Sequence, residues 1–268
     1  MAALSLSVQS QSYQQLIRQA FEAMAADSLQ QAELLLHQAL QVAPGAQGNA
    51  LVYGQLAAIA ERRGRGQEAL ENYDTALRLQ PDNLRLLLGR ASLYLKLGRN
   101  DRARADYDAV LAVREDHAEA LLMRAYACQQ QRLYKEARAD YERLLRQQPA
   151  NEQALLGLAL TNDKDRRPRE ALDLVNRAIE LYSTHADGYA LRAGFEADRS
   201  QYELAEADYE EAIRLDPENP SLYLARAQYY SQRKQKTKAR LDAQQAARLG
   251  ATADEIAGAI EILTNKKP

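Results

Sequence analysis

Arginine and aspartate recur in the sequence at a constant separation of 16 residues. The pairs are Arg90 and Asp106, Arg124 and Asp140, Arg192 and Asp208, and Arg226 and Asp242. A guanidinium group binds a carboxylate through two parallel hydrogen bonds, so this spacing fits either a charged binding surface or structural ion pairs between packed helices. In the three repeats without this arginine the aspartate is also absent, and the pairs there are Gln19 with Leu35, Leu56 with Asn72, and Leu158 with Leu174. This matched replacement favours structural ion pairs whose partners are in contact.

Residues that bind metals or act as nucleophiles are few and widely spaced. The sequence has three histidines, His37, His117 and His185, and a single cysteine, Cys128. One cysteine excludes an internal disulfide and a thiolate cluster, and the histidines are too far apart to suggest a shared zinc site. The phosphate-binding pattern GxGxxG and the hydrolase patterns GxSxG and HExxH are absent. We therefore predict a protein that is not an enzyme and that has no cofactor and no metal.

Charge balance and composition exclude further classes of protein. Lys and Arg total 35 and Asp and Glu total 37, so the basic excess expected of a nucleic-acid-binding protein is missing. No apolar stretch is long enough to form a transmembrane helix. Only 19 of the 268 residues are Val, Ile or Thr, which is too few for a sheet protein of this length. The sequence predicts an all-helical protein with no transmembrane segment and no nucleic-acid partner.

A period of 34 residues runs through most of the sequence. One ladder of alanines contains Ala69, Ala103, Ala137, Ala171, Ala205 and Ala239, and a second contains Ala57, Ala91, Ala125, Ala159, Ala193 and Ala227. Each repeat therefore has a small residue in each half, which lets two antiparallel helices pack closely. The seven repeats, numbered in chain order, are 13–46, 50–83, 84–117, 118–151, 152–185, 186–219 and 220–253. Repeat positions are counted from the first residue of each repeat.

The repeat resembles the tetratricopeptide repeat family. The family's large residue at position 4, small residue at 8, alanine at 20, aromatic residue at 24 and proline at 32 are present in the second repeat as Tyr53, Ala57, Ala69, Tyr73 and Pro81. The resemblance covers residues 13–253. It implies an all-α, right-handed superhelical solenoid of seven tetratricopeptide helix–turn–helix repeats, followed by a C-terminal capping helix.

The two ends of the sequence are expected to differ from the repeats. Thr252 and Glu255 form a capping-box pattern, so residues 254–268 should form a capping helix and tail that cover the last repeat. The apolar face of that helix contains Ile256, Ile260 and Leu263. Residues 1–12 should form an N-terminal arm. Their composition also fits the end of a truncated signal peptide, which would make the protein periplasmic or exported; as written it is cytoplasmic.

The resemblance further implies a concave groove lined by the first helix of each repeat. Family members present side chains there mainly from positions 2, 5, 9, 12 and 13. The predicted partner-binding residues are Leu88, Ser92, Leu122, Tyr126, Leu156 and Leu160 in a central strip, with Arg85, Lys96 and Asp163 on its charged rim. Tyr126 is the strongest candidate anchor, because the repeat pattern does not require an aromatic residue at position 9.

These observations predict a non-catalytic adaptor that binds a protein or peptide segment in the concave groove. The alternative is a structural subunit of a multi-protein complex, possibly in the cell envelope, that uses its outer face and its ends. Export of the protein would favour the second function, whereas affinity for an isolated peptide would favour the first.

Overall fold

A computed structural model describes residues 2–260, with side chains from residue 12 onward. Fifteen helices lie within this part of the chain: α1 Ala2–Ala25, α2 Leu29–Val42, α3 Asn49–Arg62, α4 Gly66–Leu79, α5 Leu84–Lys96, α6 Asn100–Val113, α7 Ala118–Gln130, α8 Tyr134–Gln147, α9 Glu152–Lys164, α10 Pro168–Leu181, α11 Ala186–Asp198, α12 Tyr202–Leu215, α13 Pro220–Gln232, α14 Lys236–Arg248 and α15 Ala253–Ile260. The all-α prediction and the predicted number of helices are confirmed.

The chain divides into two compact units. The first, Met1–Arg132, contains α1 to α7, and the second, Leu133–Pro268, contains α8 to α15. Within the first unit, α1 packs on α2, α3 on α4, and α5 on α6; within the second, α9 packs on α10, α11 on α12, and α13 on α14. First helices of successive repeats also touch, from α3 through α5 to α7 and from α9 through α11 to α13. Six of the seven helix pairs that the 34-residue period predicts therefore lie within one unit or the other, and the boundary between the units falls inside the predicted repeat 118–151.

Side chains just before the first helices explain where these helices begin. Asn83 accepts a hydrogen bond from the Leu86 amide, and Asn151 accepts one from the Ala154 amide. His117 has the same role at the start of α7, where its Nδ1 accepts from the Ala120 amide at 3.3 Å. Each residue satisfies one of the amides that a helix N-terminus leaves without a partner.

The turn between the two helices of a repeat has one conformation throughout the described residues. Position 15 is left-handed in every repeat, at Asp27, Gly64, Gly98, Arg132, Arg166, Ser200 and Lys234. The next amide bonds back to the carbonyl of position 11, as from Arg99 to Tyr94 at 2.8 Å. This is the Schellman ending, for which glycine is best suited, yet five repeats use another residue.

Both alanine ladders form the centre of the repeat packing. All twelve residues of the two ladders are completely buried, as are Ala20 and Ala32, which continue them into the first repeat. Because alanine adds little bulk, two helices can approach closely at each of these positions. The ladders therefore set the spacing of the helix pairs.

The two ends of the described chain are helical. α1 begins at Ala2, so the residues predicted as an N-terminal arm and the first helix of the first repeat form one helix. At the other end, Thr252 and Glu255 make both bonds of the capping box: the Glu255 carboxylate accepts from the Thr252 amide at 2.7 Å, and Thr252 Oγ1 accepts from the Glu255 amide at 3.3 Å. α15 packs on α13 and α14. Leu263, predicted on its apolar face, lies outside the described residues.

No helix among the described residues is both long enough and apolar enough to cross a membrane.

Candidate functional site

In three of the four Arg–Asp pairs, both residues belong to the same compact unit. Each of these three pairs is joined by two hydrogen bonds. In the first unit, Arg90 donates through Nε and Nη2 to the Asp106 carboxylate at 2.8 and 2.7 Å. In the second unit, Arg192 bonds Asp208 at 2.6 and 2.9 Å, and Arg226 bonds Asp242 at 2.8 Å twice. The three aspartates are buried. Each pair links position 7 on the first helix to position 23 on the second helix of the same repeat.

Two of these arginines also bond position 25 of the preceding repeat, which the sequence analysis did not anticipate. Arg90 Nη1 donates to Asp74 at 2.7 Å, and Arg192 Nη1 donates to Asn176 at 2.8 Å. One arginine therefore connects three helices from two repeats. We call this arrangement the arginine clasp. The hydrogen bonds to the aspartates raise the pKa of Arg90 and of Arg192, so both remain charged.

The fourth predicted pair joins residues of different compact units. Arg124 belongs to the first unit, where its Nη1 donates to Asp108 at 2.7 Å, the same position-25 contact that Arg90 makes with Asp74. Asp140 is buried in the second unit. The ion pair between Arg124 and Asp140 stays a prediction.

In the first unit, the predicted groove residues lie on α5 and α7, which are in contact. Leu88, Ser92 and Leu122 are partly buried, whereas the Tyr126 side chain is 45% exposed. Two predicted rim residues, Arg85 and Lys96, are exposed, and the Lys96 ammonium donates to Glu61 of α3 at 2.6 Å. Tyr126 is thus an aromatic residue in a partly open position.

The remaining predicted groove residues lie on α9 in the second unit. Leu156 and Leu160 are partly buried and pack against a core cluster that contains Val175 and Phe195. Asp163 accepts a hydrogen bond at 2.9 Å from Nη2 of Arg199, the residue that follows α11. Leu156 therefore contributes to the repeat packing, and Asp163 is already paired.

A cavity of about 280 Å³ opens on the inner faces of α9, α11 and α13. Its lining includes Leu160, Asp163 and Lys164 from α9, Gly194 and Asp198 from α11, and Gln228 and Gln232 from α13. All seven residues occupy repeat positions 9, 12 or 13, which are groove positions in the family that the repeat resembles. We call this space the inner cavity. Of the predicted partner-binding residues, it brings Leu160 and Asp163 together.

Tyrosine rings form one side of the inner cavity. Tyr209 of α12 and Tyr229 of α13 both line it, with ring centroids 5.5 Å apart. Tyr209 is 6% exposed, and a Cβ atom placed on Gly194 would lie 4.0 Å from its hydroxyl oxygen. Burial, together with the charge of Asp198, raises the pKa of Tyr209 to about 12, so its hydroxyl keeps its proton at physiological pH.

Comparison with known families agrees with the repeat geometry. Tetratricopeptide repeat family models match residues 60–126, 129–186, 187–219 and 208–241. The chain belongs to the tetratricopeptide repeat family. The sequence matches no curated protein.

A similar solved structure from the same family covers nearly the whole length of this chain. The crystal structure of a tetratricopeptide repeat protein from Parabacteroides merdae is 28% identical, with a TM-score of 0.87 covering 95% of this chain and 100% of that one. PilW, a widely conserved type IV pilus biogenesis factor, is 21% identical, with a TM-score of 0.64 and coverage of 78% and 96%. MamA from Desulfovibrio magneticus is also 21% identical, with a TM-score of 0.58 and coverage of 64% and 98%. The last two share the fold.

Two of the three histidines of this tetratricopeptide repeat protein have local contacts. His117 caps α7, His185 Nδ1 lies 2.8 Å from Glu152 Oε2, and Cys128 is buried. Within the described residues, no three His, Cys, Asp or Glu side chains are grouped so that they could hold a metal ion.

Proposed function

We propose that this tetratricopeptide repeat protein is a non-catalytic adaptor that binds a polypeptide segment on the inner faces of its first helices. Members of the family generally act through protein–protein interaction, and the finer assignment concerns where the partner binds. The observation that carries the proposal is the inner cavity, because three successive first helices line it with residues at groove positions. Concave sites with a few convergent polar groups are the usual places for ligands.

The first compact unit supplies a second contact surface. Tyr126 is 45% exposed on α7, and Leu122 lies one helical turn before it on the same face. Binding energy in protein interfaces is concentrated in a few aromatic and arginine side chains that lose their water on binding. Tyr126 fits that role, since it offers apolar area and a hydroxyl group.

A second candidate function is assembly through the outer face. In the second compact unit, two leucines on second helices are more than half exposed: Leu204 at 55% and Leu241 at 60%. Exposed apolar side chains on one face are a feature of protein interaction surfaces. This function would require partner contacts on α12 and α14 rather than on the first helices.

Replacement of Tyr126 by alanine tests the adaptor function. With a partner captured from the source cell and identified, calorimetric titration should show that Tyr126→Ala weakens binding by about 2 kcal/mol or more. Thermal melting should show a change in unfolding free energy within about 1 kcal/mol, because the ring is outside the core.

Tyr107 provides the matched control, since its ring is 1% exposed. Tyr107→Ala should lower the unfolding free energy by about 3–5 kcal/mol, and binding should be lost only where the protein unfolds. If Tyr126→Ala leaves affinity unchanged while Leu204→Ala and Leu241→Ala weaken it, assembly through the outer face is supported instead.

A further inference from the structure

The inner cavity combines open space, the Tyr209 hydroxyl group and the carboxylate of Asp198. We infer that it receives a lysine or arginine side chain from the bound polypeptide. This inference rests on the proposed adaptor function and assigns a chemical identity to one residue of the partner. Its basis is the set of side chains around Gly194.

Open space in the cavity results from small residues on the facing helices. Position 9 of the sixth repeat is Gly194, whereas the fourth and fifth repeats have Tyr126 and Leu160 there. Ala190, Ala197 and Ala225 also line the cavity. A Cβ atom on Gly194 would make only an ordinary contact, 4.0 Å from the Tyr209 hydroxyl oxygen. Helix packing therefore does not require glycine at this position, and its absence of a side chain leaves room for a ligand.

The hydroxyl group of Tyr209 is directed toward this space and is unused. Tyr209 is more than nine-tenths buried, yet within the described residues its hydroxyl makes no hydrogen bond. The neighbouring Tyr229 differs, because its hydroxyl donates to the Tyr202 carbonyl at 2.9 Å and accepts from Arg233 at 3.0 Å. The Tyr209 oxygen is therefore available to a hydrogen-bond donor that enters the cavity.

Charge around the hydroxyl favours a cationic donor. Asp198 is exposed, has no ion-pair partner within the described residues, and lies close enough to Tyr209 to raise the pKa of the phenol, after burial itself. Asp163 is already paired with Arg199. Lys164 of α9 also lines the cavity and is exposed, so the unpaired carboxylate of Asp198 is the group that would attract the cation.

Amide oxygens complete the match. Gln228 and Gln232 are exposed at its edge and can offer carbonyl oxygens. A carboxylate ligand would instead place its charge beside Asp198.

The experiment uses the full-length, 15N-labelled chain and three small probes: N-acetyl-arginine amide, N-acetyl-glutamine amide and N-acetyl-glutamate amide. The arginine probe should shift the amide resonances of Gly194, Ala197 and Asp198, and the other two probes should shift them much less. Asp198→Asn should weaken the arginine probe about tenfold, the effect of losing one charge-assisted hydrogen bond. Tyr209→Phe removes only the hydroxyl and should weaken it by a smaller factor.

Gly194→Leu and Gly258→Leu form a matched pair for cavity filling. Both glycines are helical, and neither has a neighbouring atom that would clash with a Cβ. Gly194→Leu should abolish binding of the arginine probe, and Gly258→Leu should leave it unchanged. Circular dichroism melting of both variants distinguishes loss of the site from loss of the fold.

Two results would overturn the inference, and they separate it from the proposed function. If the glutamate probe binds as well as the arginine probe and Gly194→Leu blocks both, the cavity binds partners but has no preference for cations. If no probe shifts these resonances and Gly194→Leu still weakens a captured partner, the inference fails and the adaptor function stands. If folded Gly194→Leu binds both probe and partner normally, the cavity has no role and both fail.

Discussion

The third and fifth repeats fill the same two helix-packing positions with different residue types, an ion pair in one and two leucines in the other. In the third repeat, positions 7 and 23 are Arg90 and Asp106, joined by two hydrogen bonds in the arginine clasp. In the fifth repeat, the same positions are Leu158, which is buried, and Leu174, which packs against the local core. Both repeats nevertheless form the same helix pair. The clasp is therefore not required to pair two helices, although it adds a bond to the preceding repeat.

This comparison predicts a large penalty for removing half of a clasp. Arg90→Leu should lower the unfolding free energy by about 3 kcal/mol, because Asp106 would remain buried without a partner. The double variant Arg90→Leu/Asp106→Leu reproduces the leucines of the fifth repeat and should recover most of the loss. Urea unfolding of the two single variants and the double variant gives the coupling energy. A coupling energy of zero would show that the ion pair has no role in stability.

A second comparison concerns the residue that faces position 24. Tyr73 packs against Gly89 and Tyr141 against Gly157, so that a Cβ on either glycine would lie under 3 Å from the ring. In the fifth repeat, position 24 is Val175, and the residue corresponding to these glycines is Leu191, which packs beside it. A large residue at position 24 thus faces glycine, and a smaller residue there faces leucine. The combined side-chain volume stays similar, as close packing of the interior requires.

Gly89→Ala should therefore destabilise the protein, even though alanine is the better helix former. The new methyl group would be 2.6 Å from the Tyr73 hydroxyl oxygen, and the buried ring has little room to move, so we expect a loss of about 1–3 kcal/mol. Gly194→Ala is the control, since its Cβ would be 4.0 Å from the nearest atom and should stabilise by about 0.5–1 kcal/mol. Thermal melting measures both. Equal shifts in the two variants would contradict the packing argument.

The outcome at these positions shows what the sequence could predict. The alanine ladders determined the helix pairs, because a small residue at a fixed period has one simple structural meaning. The contacts of Arg90 with Asp74 and of Arg192 with Asn176 could not be found this way, since the acceptor lies in the preceding repeat and changes its chemistry. The sequence shows that Gly194 differs from the larger residues at position 9 of the fourth and fifth repeats. That this glycine opens a space in front of the Tyr209 hydroxyl could be seen only in the structure.

Position 11 gives a third comparison, between the sixth repeat and the third and seventh repeats. Tyr94 and Tyr230 occupy this position in the third and seventh repeats, whereas the sixth has Glu196, which is buried with one carboxylate oxygen unbonded within the described residues. Burial and the adjacent Asp208 raise the pKa of Glu196 from 4.5 to about 7, against the opposing charges of Arg192 and Arg199.

Glu196 should therefore make the stability of the protein depend on pH. Because the folded-state pKa is above the unfolded-state pKa, its contribution is fully present below pH 4.5 and is lost as the pH rises through 7. Glu196→Gln removes the buried charge and should raise the melting temperature at pH 8 by about 2–4 °C, with little change at pH 5.

Glu206→Gln is the control of opposite sign. Lys238 and Tyr230 donate to Glu206 and lower its pKa, so this group stabilises the fold above the unfolded-state pKa and loses that contribution in acid. Glu206→Gln should lower the melting temperature at pH 8, and this decrease should become smaller as the pH falls toward 4. Melting curves of the two variants from pH 4 to pH 8 should diverge as the pH rises. A lower melting temperature of Glu196→Gln at pH 8 would mean that the ionised carboxylate is stabilised by Arg192 and Arg199 more than burial and Asp208 oppose it.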